Sequence, residues 1–218
     1  GLRTTVGRYS THGVVPLSHS RDAPEPMARE MADIALLAAL LTGAPPAQAV
    51  DLAGARLGVP RRHFWEMLDG ETAPVAEAAL DRLREAGAVL VEVELNEAVA
   101  VSARIGRAIH MGEVLDDIAA YLAAGGSEIT VEEVAAGVAS PDVKASVALA
   151  VAARRDRAAY VEAMKMHRPA LRRLYAEAFA GHGVAAMIGP TTPRPARPLG
   201  AEVTVRWNGR EAPARAAY

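Results

Sequence analysis

The chain has 218 residues, 51% of them apolar, and a formal net charge of -2. That composition supports a globular core and leaves no basic field for gripping a phosphate backbone, so nucleic acid is excluded as a partner. Apolar runs such as residues 34–41 fall far short of the roughly 20 residues of a membrane span, so no membrane partner is expected, and the absence of cysteine excludes disulfides and thiolate chemistry and suits a cytoplasmic setting.

Residues 1–20 are rich in Gly, Thr, Val and Pro and are predicted to form short strands broken by turns. A helix is expected to open at Asp22, with Pro26 in its first turn, and to close at Gly43 ahead of Pro45 and Pro46. Met27, Met31, Ile34, Leu37 and Leu41 recur every three or four residues and predict a face packed on a core. Residues 55–59 then read as an apolar strand and residues 74–85 as a helix with Val75, Ala79, Leu80 and Leu83 inward, stopped by Gly87. In residues 89–95, Val89, Val91, Val93 and Leu95 share one face of a second strand. Strand, helix and strand at that spacing predict a parallel pair with a right-handed crossover.

Residues 97–182 read as helix almost throughout, with a capping box from Thr130 to Glu133, a helix start at Ser140-Pro141, and a new helix or a kink at Pro169. Residues 184–188 read as a buried strand ending at Gly189-Pro190. Residues 203–207 form a strand entering a turn at Asn208-Gly209, with a weak return in 210–218 that carries Pro213. The expected fold class is α/β: a mixed sheet with a parallel βαβ unit surrounded by helices. The expected organisation is one domain, 1–218, in four sections at 1–54, 55–95, 96–182 and 183–218.

Gly1-Leu2-Arg3, Thr5, Gly7-Arg8, Gly13, Pro16-Leu17, Ser20, Asp22, Pro26-Met27-Ala28-Arg29 and Ala32-Asp33 stand at a spacing that resembles the amidase signature family, entered just downstream of its nucleophile. The resemblance continues through residues 55–60, Phe64-Trp65, residues 89–95, and Gly183-Val184 to Pro190-Thr191-Thr192-Pro193 with Ala196 and Pro198. Glu25 stands where the family usually has Gly. His19, Phe64-Trp65 and Tyr121-Leu122-Ala123 before Ser140-Pro141-Asp142-Val143 are similar to the indoleacetamide and mandelamide type of amide hydrolase. The resemblance implies a partial amidase-signature fold, a small-molecule amide as substrate, no cofactor, and cleavage to acid and ammonia or amine through an acyl-serine. It also implies that the Ser-Ser-Lys machinery lies upstream of Gly1, so the chain is expected to be an internal portion, inactive alone and without catalytic residues of its own.

The residues themselves offer little to replace that machinery. A serine nucleophile needs a base within hydrogen-bond reach, and the two lysines are Lys144 and Lys165. Ser146 follows Lys144 by two positions on a predicted helix, about 200° around it; Lys165 has no serine near it in sequence. Arg8, Asp22 and Arg29 are expected to form a structural loop cluster. The histidines at 12, 19, 63, 110, 167 and 182 show no recognised ligand spacing, so no metal is expected. The resemblance places His19 on the active-site side. Thr191 and Thr192 follow a buried strand, at the end where α/β folds collect ligands, and are candidates for substrate binding or for turn chemistry. Glu113 and Tyr121 are candidates for the acyl side of the pocket, against a solvated glutamate and a core tyrosine. Ile105, Ile109, Leu115, Ile118 and Leu122 form an apolar helical stripe. Unpaired strand edges are expected to promote association, homo-oligomers included. The alternative function is a noncatalytic α/β module that binds a ligand or a protein through residues 190–198 and the helical face.

Overall fold

The structure, a computed structural model, describes residues 1–196, 204–207 and 210–213. Val203, Pro198, the Asn208-Gly209 turn and residues 214–218 lie outside the described residues, as do the side chains of His63 and Asp142. The elements in chain order are α1 (Met31–Thr42), β1 (Arg56–Val59), α2 (Arg61–Phe64), α3 (Thr72–Glu85), β2 (Val89–Glu92), α4 (Asn96–Ala124), α5 (Val131–Gly137), α6 (Pro141–Arg155), α7 (Ala158–Glu162), a π-helical turn (Ala163–His167), α8 (Arg168–His182), β3 (Ala186–Met187), β4 (Thr204–Trp207) and β5 (Arg210–Pro213). Among the described residues no helix is long and apolar enough to cross a membrane. The chain forms two compact units, Gly1–Ala49 with Ser102–Pro169, and Val50–Val101 with Ala170–Tyr218.

The second unit carries the α/β signature. β1 pairs in parallel with β2, Arg56 opposite Val89, and on its other side with β3, Leu57 opposite Ala186, giving the order β2-β1-β3. The parallel strand-helix-strand unit expected from the apolar pattern is present. Gly58 makes the middle strand possible. A Cβ there would lie 2.9 Å from Val93 Cγ2 and 3.3 Å from Met187 Cγ and Val184 Cγ2, so only glycine allows this close approach. α3 buries Leu80 but leaves Val75 70% exposed, which narrows the inward face expected of that helix. β2 ends at Glu92, short of the expected 95, yet Val93 and Leu95 stay buried and form a core with Ala98, closed by Leu171, Leu174 and Tyr175 of α8. Gly87, at φ 88°, ends α3 as expected. β4 and β5 pair antiparallel, Thr204 opposite Pro213, which puts the proline at the last position of the ladder.

The first unit is helical. Val114 and Leu115 of α4, Val131 of α5 and Ala150 of α6 form its core with Met111, Ile118 and Val151. The capping box at α5 is present: Thr130 Oγ1 accepts the Glu133 N–H at 3.2 Å and Glu133 Oε2 accepts the Thr130 N–H at 2.8 Å. Pro169 is the second residue of α8, one residue past the π-helical turn, so its missing N–H falls beside a change of helical pitch.

Two expectations for the N-terminal segment are corrected. No strand forms in residues 1–20; the segment is a series of turns, with glycines in the left-handed region at Gly7 (φ 83°) and Gly13 (φ 78°) interrupting any extended run. α1 starts at Met31 instead of near Asp22, because Asp22 spends its carboxylate on other N–H groups, and Pro24 and Pro26 hold the residues before them out of the helical region. The apolar stripe of α1 buries only Ile34, at 3% exposure, while Met31 is 67% and Leu41 61% exposed.

Candidate functional site

The site in the first unit is built by laying the loop of residues 16–24 against α4. The loop is self-braced first: Asp22 Oδ2 accepts the N–H groups of Leu17 at 2.7 Å and Ser18 at 2.8 Å, and the Ser18 carbonyl accepts the N–H groups of Arg21 and Asp22 at 2.9 and 2.7 Å. This is an Asx-type closure, in which a short carboxylate replaces a backbone ladder. Arg8 and Arg29 make no ion pair with Asp22 among the described residues, so the loop cluster is closed by backbone donors instead of guanidinium groups. Arg21 and Arg168 then fasten the loop, donating to the Gly106 carbonyl at 2.8 Å and the Ser20 carbonyl at 2.8 Å.

Glu113 and Asp117 are one turn apart on α4, so both side chains leave the same face. Glu113 is 1% exposed and collects three hydroxyl donors: Ser18 Oγ at 2.5 Å and Ser20 Oγ at 3.0 Å on Oε2, and Tyr160 Oη at 3.0 Å on Oε1. Asp117 holds His19 twice, accepting its backbone N–H at 2.7 Å and lying 2.8 Å from its Nδ1. The tyrosine reaches Glu113 because residue 112 is glycine: a Cβ at Gly112 would fall 2.6 Å from Tyr160 Cδ2 and 2.8 Å from its Cβ. On its other side Tyr160 meets Arg157, whose guanidinium carbon is 4.5 Å from the ring centroid and whose Nη1 is 2.7 Å from Asp116.

Burial pushes the Glu113 carboxyl up, but the hydroxyls of Ser18, Ser20 and Tyr160 outweigh it and hold the group below its ordinary value. Burial and the bond to Glu113 push the Tyr160 phenol above its own. Glu113 is therefore a fixed anion near neutral pH and a weak base. Ser18 is 3% exposed, and its hydroxyl is spent on that anion. Neither has the access or basicity of a nucleophile-base pair.

His19 and Glu113 are thus brought together, and Glu113 is buried rather than solvated. Asp117 and Tyr160 were missed by sequence reasoning. The helical i, i+4 spacing of Glu113 and Asp117 was a usable signal, whereas nothing in the sequence pointed to Tyr160. Two cavities flank the loop. One, of about 500 Å³, has His19, Asp117 and Tyr121 beside the apolar Val14, Val15 and Pro16; the other, of about 580 Å³, is faced by Arg3, Arg21 and Arg107. The ligand-type atoms of His19, Glu113 and Asp117 lie within 4.8 Å of one another.

Thr191 and Thr192 belong to the second unit, just beyond β3, and border a cavity of about 260 Å³ with Trp65, Thr72 and Leu80. Thr192 Oγ1 donates to the Arg194 carbonyl at 3.0 Å, and the Pro193 carbonyl accepts the Asp69 N–H at 2.9 Å, so turn chemistry and pocket lining coexist there.

The family model described as Amidase matches residues 1–211. The chain is 30% identical over 212 residues to an indoleacetamide hydrolase of Allorhizobium ampelinum, an alignment that takes in 97% of this chain and 46% of that protein. It is 34% identical over 203 residues to a mandelamide hydrolase of Pseudomonas putida, with 88% of this chain and 40% of that protein covered. A solved amidase crystal structure superposes with a TM-score of 0.71 at 27% identity, over 97% of this chain and 44% of the other. The chain spans less than half the length of each of these relatives.

Proposed function

The chain belongs to the amidase family, and from that premise we propose that it supplies scaffold and pocket wall to an amidase-signature hydrolase of carboxylic amides, its nucleophile and base lying outside these 218 residues. In that reaction a serine oxygen adds to the amide carbonyl, the C–N bond breaks, and the amine or ammonia leaves with a proton. Water then cleaves the acyl ester to the acid and restores the serine. The observation that carries the reading is the buried state of Ser18: the best-placed serine of the site is sealed from substrate and bound to an anion with depressed basicity, so the site has the form of a support.

An aryl-bearing amide is the substrate class we favour. Val14, Val15, Pro16 and Tyr121 give the cavity beside His19 an apolar wall of the kind that receives a ring, with one polar corner. In this reading His19 faces substrate, and Glu113 is a positioning residue that acts through the loop it holds. The test is ammonia release from mandelamide and indoleacetamide by this chain alone and by a chimera that joins it to the remainder of a mandelamide hydrolase. Turnover is expected from the chimera only. Hydrolysis by the chain alone, or an acyl adduct trapped on one of its hydroxyls, would overturn the proposal.

A further inference from the structure

A carboxylate has about four lone-pair sites for partners. In Glu113, Oε2 accepts the Ser18 and Ser20 hydroxyls and, at 3.4 Å, the Ser20 backbone N–H, while Oε1 accepts the Tyr160 hydroxyl. The remaining side of Oε1 faces His19 Nε2 at 3.5 Å, longer than the roughly 2.7–3.2 Å of an N–H···O bond. The other ring nitrogen, Nδ1, is 2.8 Å from Asp117 Oδ1, a separation that requires a proton on Nδ1. This leaves Nε2 opposed to the Glu113 carboxylate, whose residue is 1% exposed. Such an opposition is stabilised by a cation placed between the two atoms.

We propose that His19 Nε2 and Glu113 Oε1 together bind a divalent transition-metal ion of the zinc class, with Asp117 as the hydrogen-bond partner that orients the imidazole. Metal–nitrogen and metal–oxygen bonds of about 2.0–2.2 Å joined at a near-tetrahedral angle span the observed 3.5 Å. A histidine that donates its other N–H to a carboxylate is the usual support of a metal ligand, fixing tautomer and ring direction together. The donor set, one imidazole nitrogen and one carboxylate oxygen, suits Zn²⁺ or Co²⁺ better than the all-oxygen preference of Mg²⁺ or Ca²⁺. His19 and Asp117 also line the cavity of about 500 Å³, which provides an entry path and room for the waters or ligand oxygen that complete the coordination. This site shares His19 and the cavity beside it with the amide-hydrolase reading, and it is measured by metal uptake instead of turnover.

The experiment strips the intact chain with a chelator and titrates it with Zn²⁺ by calorimetry and with Co²⁺ by visible absorption. One equivalent should bind, with the d–d bands of a four- or five-coordinate Co²⁺ ion. His19→Ala should abolish uptake, and Asp117→Asn should weaken it about 10-fold or more. Because His19 is 61% exposed at its side chain, His19→Ala tests the site without opening the core; the cobalt spectrum of the unaltered chain stands apart from any folding defect in the variants. Absence of stoichiometric uptake by the unaltered chain overturns the proposal. Uptake by folded His19→Ala equal to that of the unaltered chain overturns it as well.

Discussion

Replacing Glu113 by alanine removes the acceptor that ties three segments of the first unit together. Of its three hydroxyl donors, Ser18 is 3% exposed, so its hydroxyl loses its partner with no access to water, at a cost of about 1–3 kcal/mol. Ser20 and Tyr160 are half-buried and recover solvent, so each forfeits only the net value of a hydrogen bond, about 0.5–1.5 kcal/mol. The lost side-chain methylene adds about 0.8 kcal/mol. Together these place Glu113→Ala about 3–7 kcal/mol below the unaltered chain, at or above the roughly 3–5 kcal/mol of breaking a buried ion pair. Glu113→Gln keeps the shape and one carbonyl oxygen, and the serine hydroxyls rotate to accept from its amide, so its cost should fall near 1–2 kcal/mol. Urea denaturation followed by circular dichroism separates the two, provided the slope with denaturant is unchanged. An alanine variant within about 1 kcal/mol of the unaltered chain would refute the lone-pair accounting and show that water replaces the carboxylate.

Gly112→Ala should destabilise by about 1–2 kcal/mol, since overpacking against Tyr160 outweighs the helix-propensity gain of roughly 1 kcal/mol; in a Tyr160→Ala background the same change should become stabilising, and a thermal melt that shows no such reversal would count against the contact. Leu80→Ala should cost about 2–5 kcal/mol, and Val75→Ala, 70% exposed on the same helix, less than about 0.5 kcal/mol, both read from denaturation midpoints. Glu113 titrates below its ordinary carboxylate value in the folded chain, so its contribution is complete above the unfolded value and is lost as pH falls through the lowered native one. Tyr160 titrates above its ordinary 10.0, so its contribution is complete below that value and is lost as pH rises through the raised one. Tyr160→Phe should therefore abolish the alkaline loss and shrink the acid loss in a stability–pH profile; an unchanged alkaline limb would assign it to another group.

Local rules carried the parts of the fold that depend on neighbours in sequence. The parallel β1-α3-β2 unit follows from apolar pattern and from the glycine that ends α3, and the α5 capping box follows from a threonine and a glutamate three residues apart. The segment of residues 1–20 failed the same rules because strand propensity is realised only against a partner strand, and its turns close on themselves. α1 is legible as a helix from its residues, but its start depended on which N–H groups Asp22 would satisfy, a choice made by the fold of the loop.

The sequence by itself determined the family, the α/β class and His19 and Glu113 as residues to watch, because motif spacing and helical periodicity are properties of a one-dimensional string. Only the tertiary structure decided that Glu113 is a buried anion and that Asp117 and Tyr160 share its site. Residues 19, 113 and 160 lie far apart along the chain, and hydrogen bonding, burial and charge act through distances that exist only after the loop has folded onto its helix.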